Sequence, residues 1–151
     1  MRIIYQDASG GCSVFIPSPG IDPTDPAVIA KVVPNGIPYA IVAIADVPSD
    51  RSYRNAWVAD VANGTIRHDL TKARELHRDY MRHARTPLLL ELDIQYMRAD
   101  EQGPLGNAAK AKILIQKQAL RDVTSDTAIE AAQTVEALKT VWPAILGRSP
   151  F

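Results

Sequence analysis

The chain holds one cysteine in 151 residues, Cys12. A lone cysteine excludes an internal disulfide framework and any cysteine-built metal cluster, and it fits a reducing compartment. Charge of either sign is not in excess, with 17 basic and 17 acidic side chains. Nothing general therefore draws the protein to nucleic acid or an anionic membrane, and such binding would need a local patch. No apolar run approaches the roughly 18 residues a spanning helix needs, and the opening "MRIIYQDASGG" lacks a signal-peptide core. The expectation is a protein soluble in the cytosol.

Catalytic signatures are missing as well. There is no nucleophile elbow, P-loop or dinucleotide fingerprint. His68, His77 and His83 lack both the one-turn spacing that puts two imidazoles on one metal and an H-E-x-x-H pattern. Asp46, Asp50 and Asp60 are explained by turn and cap positions, and Cys12, in an apolar strand, reads as a small core residue. The expectation is no enzyme activity, no metal and no cofactor.

At 46% apolar residues the chain can bury a core, as one domain or two small lobes. Residues 2–6 and 12–17 are β-branched and aromatic runs joined by "DASGG", which reads as a β-hairpin. Asp25 followed by Pro26 predicts a short helix to about residue 33, and Pro34-Asn35-Gly36 turns the chain. The continuous apolar run at 38–46 predicts the most buried strand of this part, and 56–61 is a candidate last strand, with Asn63-Gly64 a turn after it.

From Asp69 the period changes to helical, with Leu70, Ala73, Leu76, Tyr80, Ala84 and Leu88 on one face. Pro87 costs about 3 kcal/mol in a helix interior, so a kink or break is predicted there. Residues 88–101 continue the pattern, "QGPLGN" forms a loop, and a return helix over 108–122 directs Ala111, Leu114, Ile115 and Ala119 toward its partner. Two short helices finish the chain, the second capped by Thr134 and ended by Pro143 after Trp142. The prediction is an α+β fold, with an antiparallel β-rich lobe at 1–66 and a helical domain at 67–151 built on a helical hairpin.

Two groups of residues could meet a partner. Arg74, Arg78, Arg82 and Arg85 form a stripe along one helix. It reads either as a surface for phosphate or an acidic partner, or as a solvated face paired with Glu75 and Asp79. It lacks the interleaved aromatics of single-strand binders, so nucleic acid is not the expected partner. In "RNAW", Arg54 and Asn55 sit beside Trp57, which suits a structural corner or an edge where another chain docks. Trp57 and Trp142 are the two largest anchors, each either a core plug or a binding hot spot.

The blocks "RTPLLLELDIQYMRA", "KQALRDVTSD" and "VWP" together resemble those of bacteriophage tail assembly chaperones, small proteins encoded beside tail-fibre genes. The family's arginine, leucine pair and aspartate fall on Arg85, Leu88, Leu89 and Asp93; its "LRD" falls on Leu120, Arg121 and Asp122; its closing pair falls on Trp142 and Pro143. About 60 residues of the C-terminal half are covered. The spacing between "LRD" and "WP" is filled by an added helical stretch, and the aromatic that often follows the family's aspartate has no clear counterpart. The N-terminal block resembles proteins encoded among phage and prophage tail genes. The resemblance implies a partner in a tail fibre or a tail-tip or baseplate protein, met in the bacterial host cytoplasm during assembly, with homo-oligomerisation left open. The alternative it implies is a minor tail or baseplate subunit retained in the virion tail.

Overall fold

The N-terminal strand β1 (Arg2–Gln6) and β2 (Cys12–Phe15) form the expected antiparallel hairpin, with Ile3 opposite Phe15 and Gln6 opposite Cys12. Its connection is built by Asp7, whose Oδ1 accepts from the backbone N–H of Ser9 at 2.9 Å and of Gly11 at 3.0 Å. Gly10 supplies the positive φ of 76° that closes the turn. The computed structural model describes residues Met1–Phe151 throughout.

Helix α1 (Pro26–Val32) starts as expected, with Asp25 accepting from the Ala27 N–H at 2.8 Å. Strand β3 (Tyr39–Val42) corrects an expectation. It pairs with β1 at the edge of a sheet ordered β2-β1-β3, and among its residues only Val42 is buried. The buried strand is β1, where adjacent Ile3 and Ile4 are both fully enclosed. Successive strand residues point to opposite faces, so a strand buried at both must be covered on both sides. An apolar run does not reveal whether a strand has one neighbour or two. The run at 38–46 also stops being a strand early, because Asp46 accepts from the Ala43 N–H at 3.0 Å and closes a 3₁₀ turn over Ile44–Asp46.

Strand β4 (Trp57–Asp60) pairs with β5 (Thr65–His68), a strand of only four residues running directly into the approach to the next helix. The Asn63-Gly64 signal is the turn of this second hairpin, with φ of 63° at Gly64. The Asp69 N–H donates to the Ala56 carbonyl at 2.8 Å, tying the start of the next helix to the same hairpin.

Helix α2 (Leu70–Glu101) is capped by Asp69, which accepts from the N–H groups of Thr71 and Lys72. It runs through Pro87 as one helix, so of the kink or break predicted there the break does not occur. Contacts on both sides of the proline hold the helix together. Arg85, before it, donates to the Arg121 carbonyl at 2.9 Å, and Asp93, after it, binds Lys117 at 2.6 Å. Both partners lie on α3 (Asn107–Asp122), which thereby splints the proline. The buried positions after Ala73 are His77, Met81 and Ala99, whereas Leu76, Tyr80 and Ala84 are half-buried and Leu88 is exposed.

The rotation of α3 also differs from expectation. Ile113, Lys117 and Leu120 are buried, while Ala111, Leu114, Ile115 and Ala119 are exposed. Lysine is an unexpected inner residue. Here its ammonium reaches Asp93 and lies 5.0 Å from the centre of the Tyr96 ring, while its stem packs inside. The last helices are α4 (Thr127–Ala131), capped by Asp126, and α5 (Val135–Thr140), capped by Thr134. Helix α5 ends before Trp142, so Pro143 does not stop it but begins the 3₁₀ turn Ala144–Leu146. The fold is α+β, with small antiparallel sheets and several helices. Its contacts group Met1–Ala73 and Arg74–Phe151 into two units, dividing inside α2 rather than at residue 66. No helix is long and apolar enough to cross a membrane.

Candidate partner-binding site

In the first unit Trp57 is 1% exposed, and its indole N–H donates to His68 Nε2 at 3.0 Å. It is a core plug, and no indole face is left for a partner. Arg54 and Asn55 are exposed on the 3₁₀ turn just before it and border a cleft of about 510 Å³ shared with Asp7 and Cys12. Burial, reinforced by the Asp7 carboxylate, pushes the Cys12 thiol up to about 11. The thiol is therefore protonated near neutral pH and is a poor nucleophile. Asp7 is held below the usual carboxylate range, first by the Ser9 hydroxyl and then by the Gly11 N–H.

The arginine stripe lies in the second unit and is largely consumed there. Arg74 donates to the carbonyls of Glu130 at 2.9 Å and Ala132 at 2.8 Å. Arg78 donates to the Thr124 carbonyl at 3.2 Å, to Glu75 and to Glu130 Oε1. Arg85 donates to the carbonyls of Leu120 and Arg121. Helix C-termini leave carbonyls without intrahelical partners, and these three guanidinium groups supply donors to the ends of α3 and α4. Arg82, with its pair to Asp79 at 2.6 Å, keeps the character of a solvated face. Neither reading of the stripe anticipated this stapling, because Glu130 is 52 residues from Arg78 and gives no local signal. Arg78 in turn holds the Glu130 carboxyl below its usual range.

The residues carrying the resemblance meet one another. Arg85 binds the carbonyls of the "LRD" block, and Asp93 binds Lys117 of the same helix. Asp122 accepts from Gln118 at 2.7 Å. Leu89 is half-buried. Trp142 is half-buried, donates to the Gly147 carbonyl at 3.1 Å, and stands edge-on to His77 at 6.0 Å and Phe151 at 5.9 Å between ring centres. His77 is fully buried, stacks on Phe151, and donates from Nε2 to the Val141 carbonyl at 2.7 Å. Desolvation, aided by nearby Arg78, lowers its pKa, although the bond to Val141 opposes this.

Leu88, Leu92, Leu120 and Ile145 enclose an apolar groove of about 260 Å³, with Glu91, Gln95 and Gln116 at its border. Small-molecule pockets run from about 300 to 1,000 Å³, so this space suits one or two aliphatic side chains better than a cofactor. Leu88 and Ile145 are exposed large apolar residues, which leaves the groove open to a partner. Ile145 was not singled out in the sequence, since nothing local links it to residues of α2. No group of three or more histidine, cysteine or acidic side chains is placed to hold a metal ion. Comparison with family models, curated proteins and solved structures finds no match to the chain.

Proposed function

We propose that this is a bacteriophage tail-associated protein that binds a tail fibre or tail-tip protein during virion assembly, in the manner of an assembly chaperone and without catalysis. The observation that supports this most is the convergence of two separate motif blocks on one open apolar groove, through Leu88 from the first and Leu120 from the second. An aliphatic side chain of an incoming fibre segment would enter between Leu88, Leu92 and Ile145, and the border residues Glu91, Gln95 and Gln116 would hydrogen-bond its backbone. Burying an exposed apolar side chain there stabilises by roughly 1.5–3 kcal/mol. Affinity centred on such a pocket is lost when its walls become charged.

Co-expression with the fibre gene of the same tail cluster tests the reading. The wild-type chain should co-purify with the fibre and raise its soluble, trimeric yield, while the double variant Leu88→Asp, Ile145→Asp should fold but fail to do so. No co-purification and no change in yield with the wild type would sink the proposal. Mass spectrometry of purified particles separates a transient role from a retained one, since a stoichiometric amount in the virion marks a minor tail or baseplate subunit.

A further inference from the structure

A different face of α2 carries a second surface. Three consecutive leucines, Leu88, Leu89 and Leu90, cannot share one side of a helix that turns 100° per residue. Leu88 borders the groove and Leu89 is half-buried, which leaves Leu90 outside at 61% exposure. Ile94, 38% exposed, and Met97, 65% exposed, follow at steps of four and three and extend Leu90 into a stripe. This stripe lies on the side of α2 turned away from Leu92, Tyr96 and Ala99. A contiguous exposed apolar stripe along a helix marks a surface that a partner can cover.

The charges beside the stripe say what covers it. Leu90, Ile94 and Met97 have the spacing of core positions in a helix pair, and Glu91 and Arg98 are then equivalent flanking positions seven residues apart. When a second α2 lies antiparallel over the stripe, Glu91 of one chain and Arg98 of the other fall on the same flank within one helical turn. The two-fold axis repeats the pair, so one face provides both halves of two ion pairs. Of the remaining acids of this segment, Asp93 and Asp100 are already matched by Lys117 and Lys110 of their own chain, and Glu101, in line with the stripe at the end of α2, falls opposite the Pro87 end of an antiparallel partner rather than opposite another acid. A parallel arrangement would not set these opposite charges against each other across a two-fold axis.

We infer that the protein forms a symmetric homodimer through antiparallel contact of the Leu90–Ile94–Met97 faces of two α2 helices. Leu88 and Leu92 face the groove from the other side of the helix, so dimerisation leaves the apolar walls of the groove free and engages only Glu91 at its border. A dimer presents two grooves to its partner, and two linked sites bind more tightly than one wherever both can engage.

Sedimentation of the full chain across about 5–200 µM, a range chosen because a contact of this size is at the weak end of protein interfaces, tests the inference. The mass should rise from 16.5 kDa toward twice that value. Ile94→Asp should remain at the single-chain mass at every concentration with an unchanged circular dichroism spectrum. Arg98→Glu should weaken association about tenfold by setting like charges together at both symmetry-related pairs. Adding Glu91→Lys to it should restore association, because the reversed pair is again complementary. A wild type that stays at the single-chain mass throughout overturns the inference. So does a dimer that survives Ile94→Asp, or a double reversal that fails to recover. If the wild type is monomeric and Ile94→Asp abolishes fibre capture instead, the face belongs to the fibre and the second copy is excluded. An Ile94→Asp monomer that still captures fibre leaves the groove reading intact, which keeps the two proposals separable.

Discussion

Replacing Gly106 with alanine tests how the helical hairpin is held. Gly106 caps the start of α3, and a Cβ built on it would lie 1.8 Å from the Ala99 carbonyl oxygen and 2.7 Å from its carbon. Both atoms are backbone, so no side chain can turn aside. The glycine's own conformation, φ −81° and ψ −7°, is open to any residue, so alanine meets no torsional penalty. Two effects then compete. Alanine restricts the unfolded chain, a gain of about 0.4–1 kcal/mol, although it caps a helix start less well than glycine. Against it stands a backbone displacement of more than 1 Å to reach ordinary contact, for which overpacking in a close-packed interior costs about 1–3 kcal/mol or more. The clash wins, and Gly106→Ala should destabilise the protein by about 1–2 kcal/mol net. Urea unfolding measured through the helical signal reads this directly. A midpoint equal to or above that of the wild type would refute the claim that the close approach of Gly106 to Ala99 sets the hairpin. Fibre capture by Gly106→Ala should also fall, because the groove is framed by the same two helices.

Three further outcomes are expected. Arg78→Ala should cost at least about 1 kcal/mol more than Arg82→Ala in denaturant unfolding, because Arg78 serves a backbone carbonyl and a distant glutamate whereas Arg82 has one exposed local pair. His77 binds a proton less readily folded than unfolded, where its value is near 6.5. Stability is therefore fully present above that pH and declines as pH falls toward the depressed folded value. Thermal unfolding of the wild type should lose stability from pH 7 to 5, and the decline should be smaller in His77→Gln. Trp142→Ala should lower stability by about 2–4 kcal/mol through loss of a half-buried ring and its contacts with His77 and Phe151. A melting temperature within a degree or two of the wild type would place the tryptophan outside the fold's support.

Where the controlling interaction was local, the sequence alone determined the structure. Asp25, Asp69, Asp126 and Thr134 each cap the helix they precede, since a capping oxygen reaches N–H groups only two or three residues on. The first hairpin was legible for the same reason, as was the α+β class. Three matters belonged to the tertiary structure. Strand β3 is an edge because sheet order depends on which distant segment adds to β1. Helix α2 passes Pro87 intact because α3 ties down the chain on both sides of it. The arginine stripe, read as a surface, became a set of internal staples because its acceptors are carbonyls of residues 120–132. The candidate groove divides along the same line. Leu88 and Leu120 were marked by their sequence blocks, but only the packing of α2, α3 and the final turn brings them together with Ile145. Spacing along a chain encodes contacts across one helical turn or one hairpin, and contacts between segments 30 or more residues apart are decided by which packing buries the most surface and satisfies the most donors.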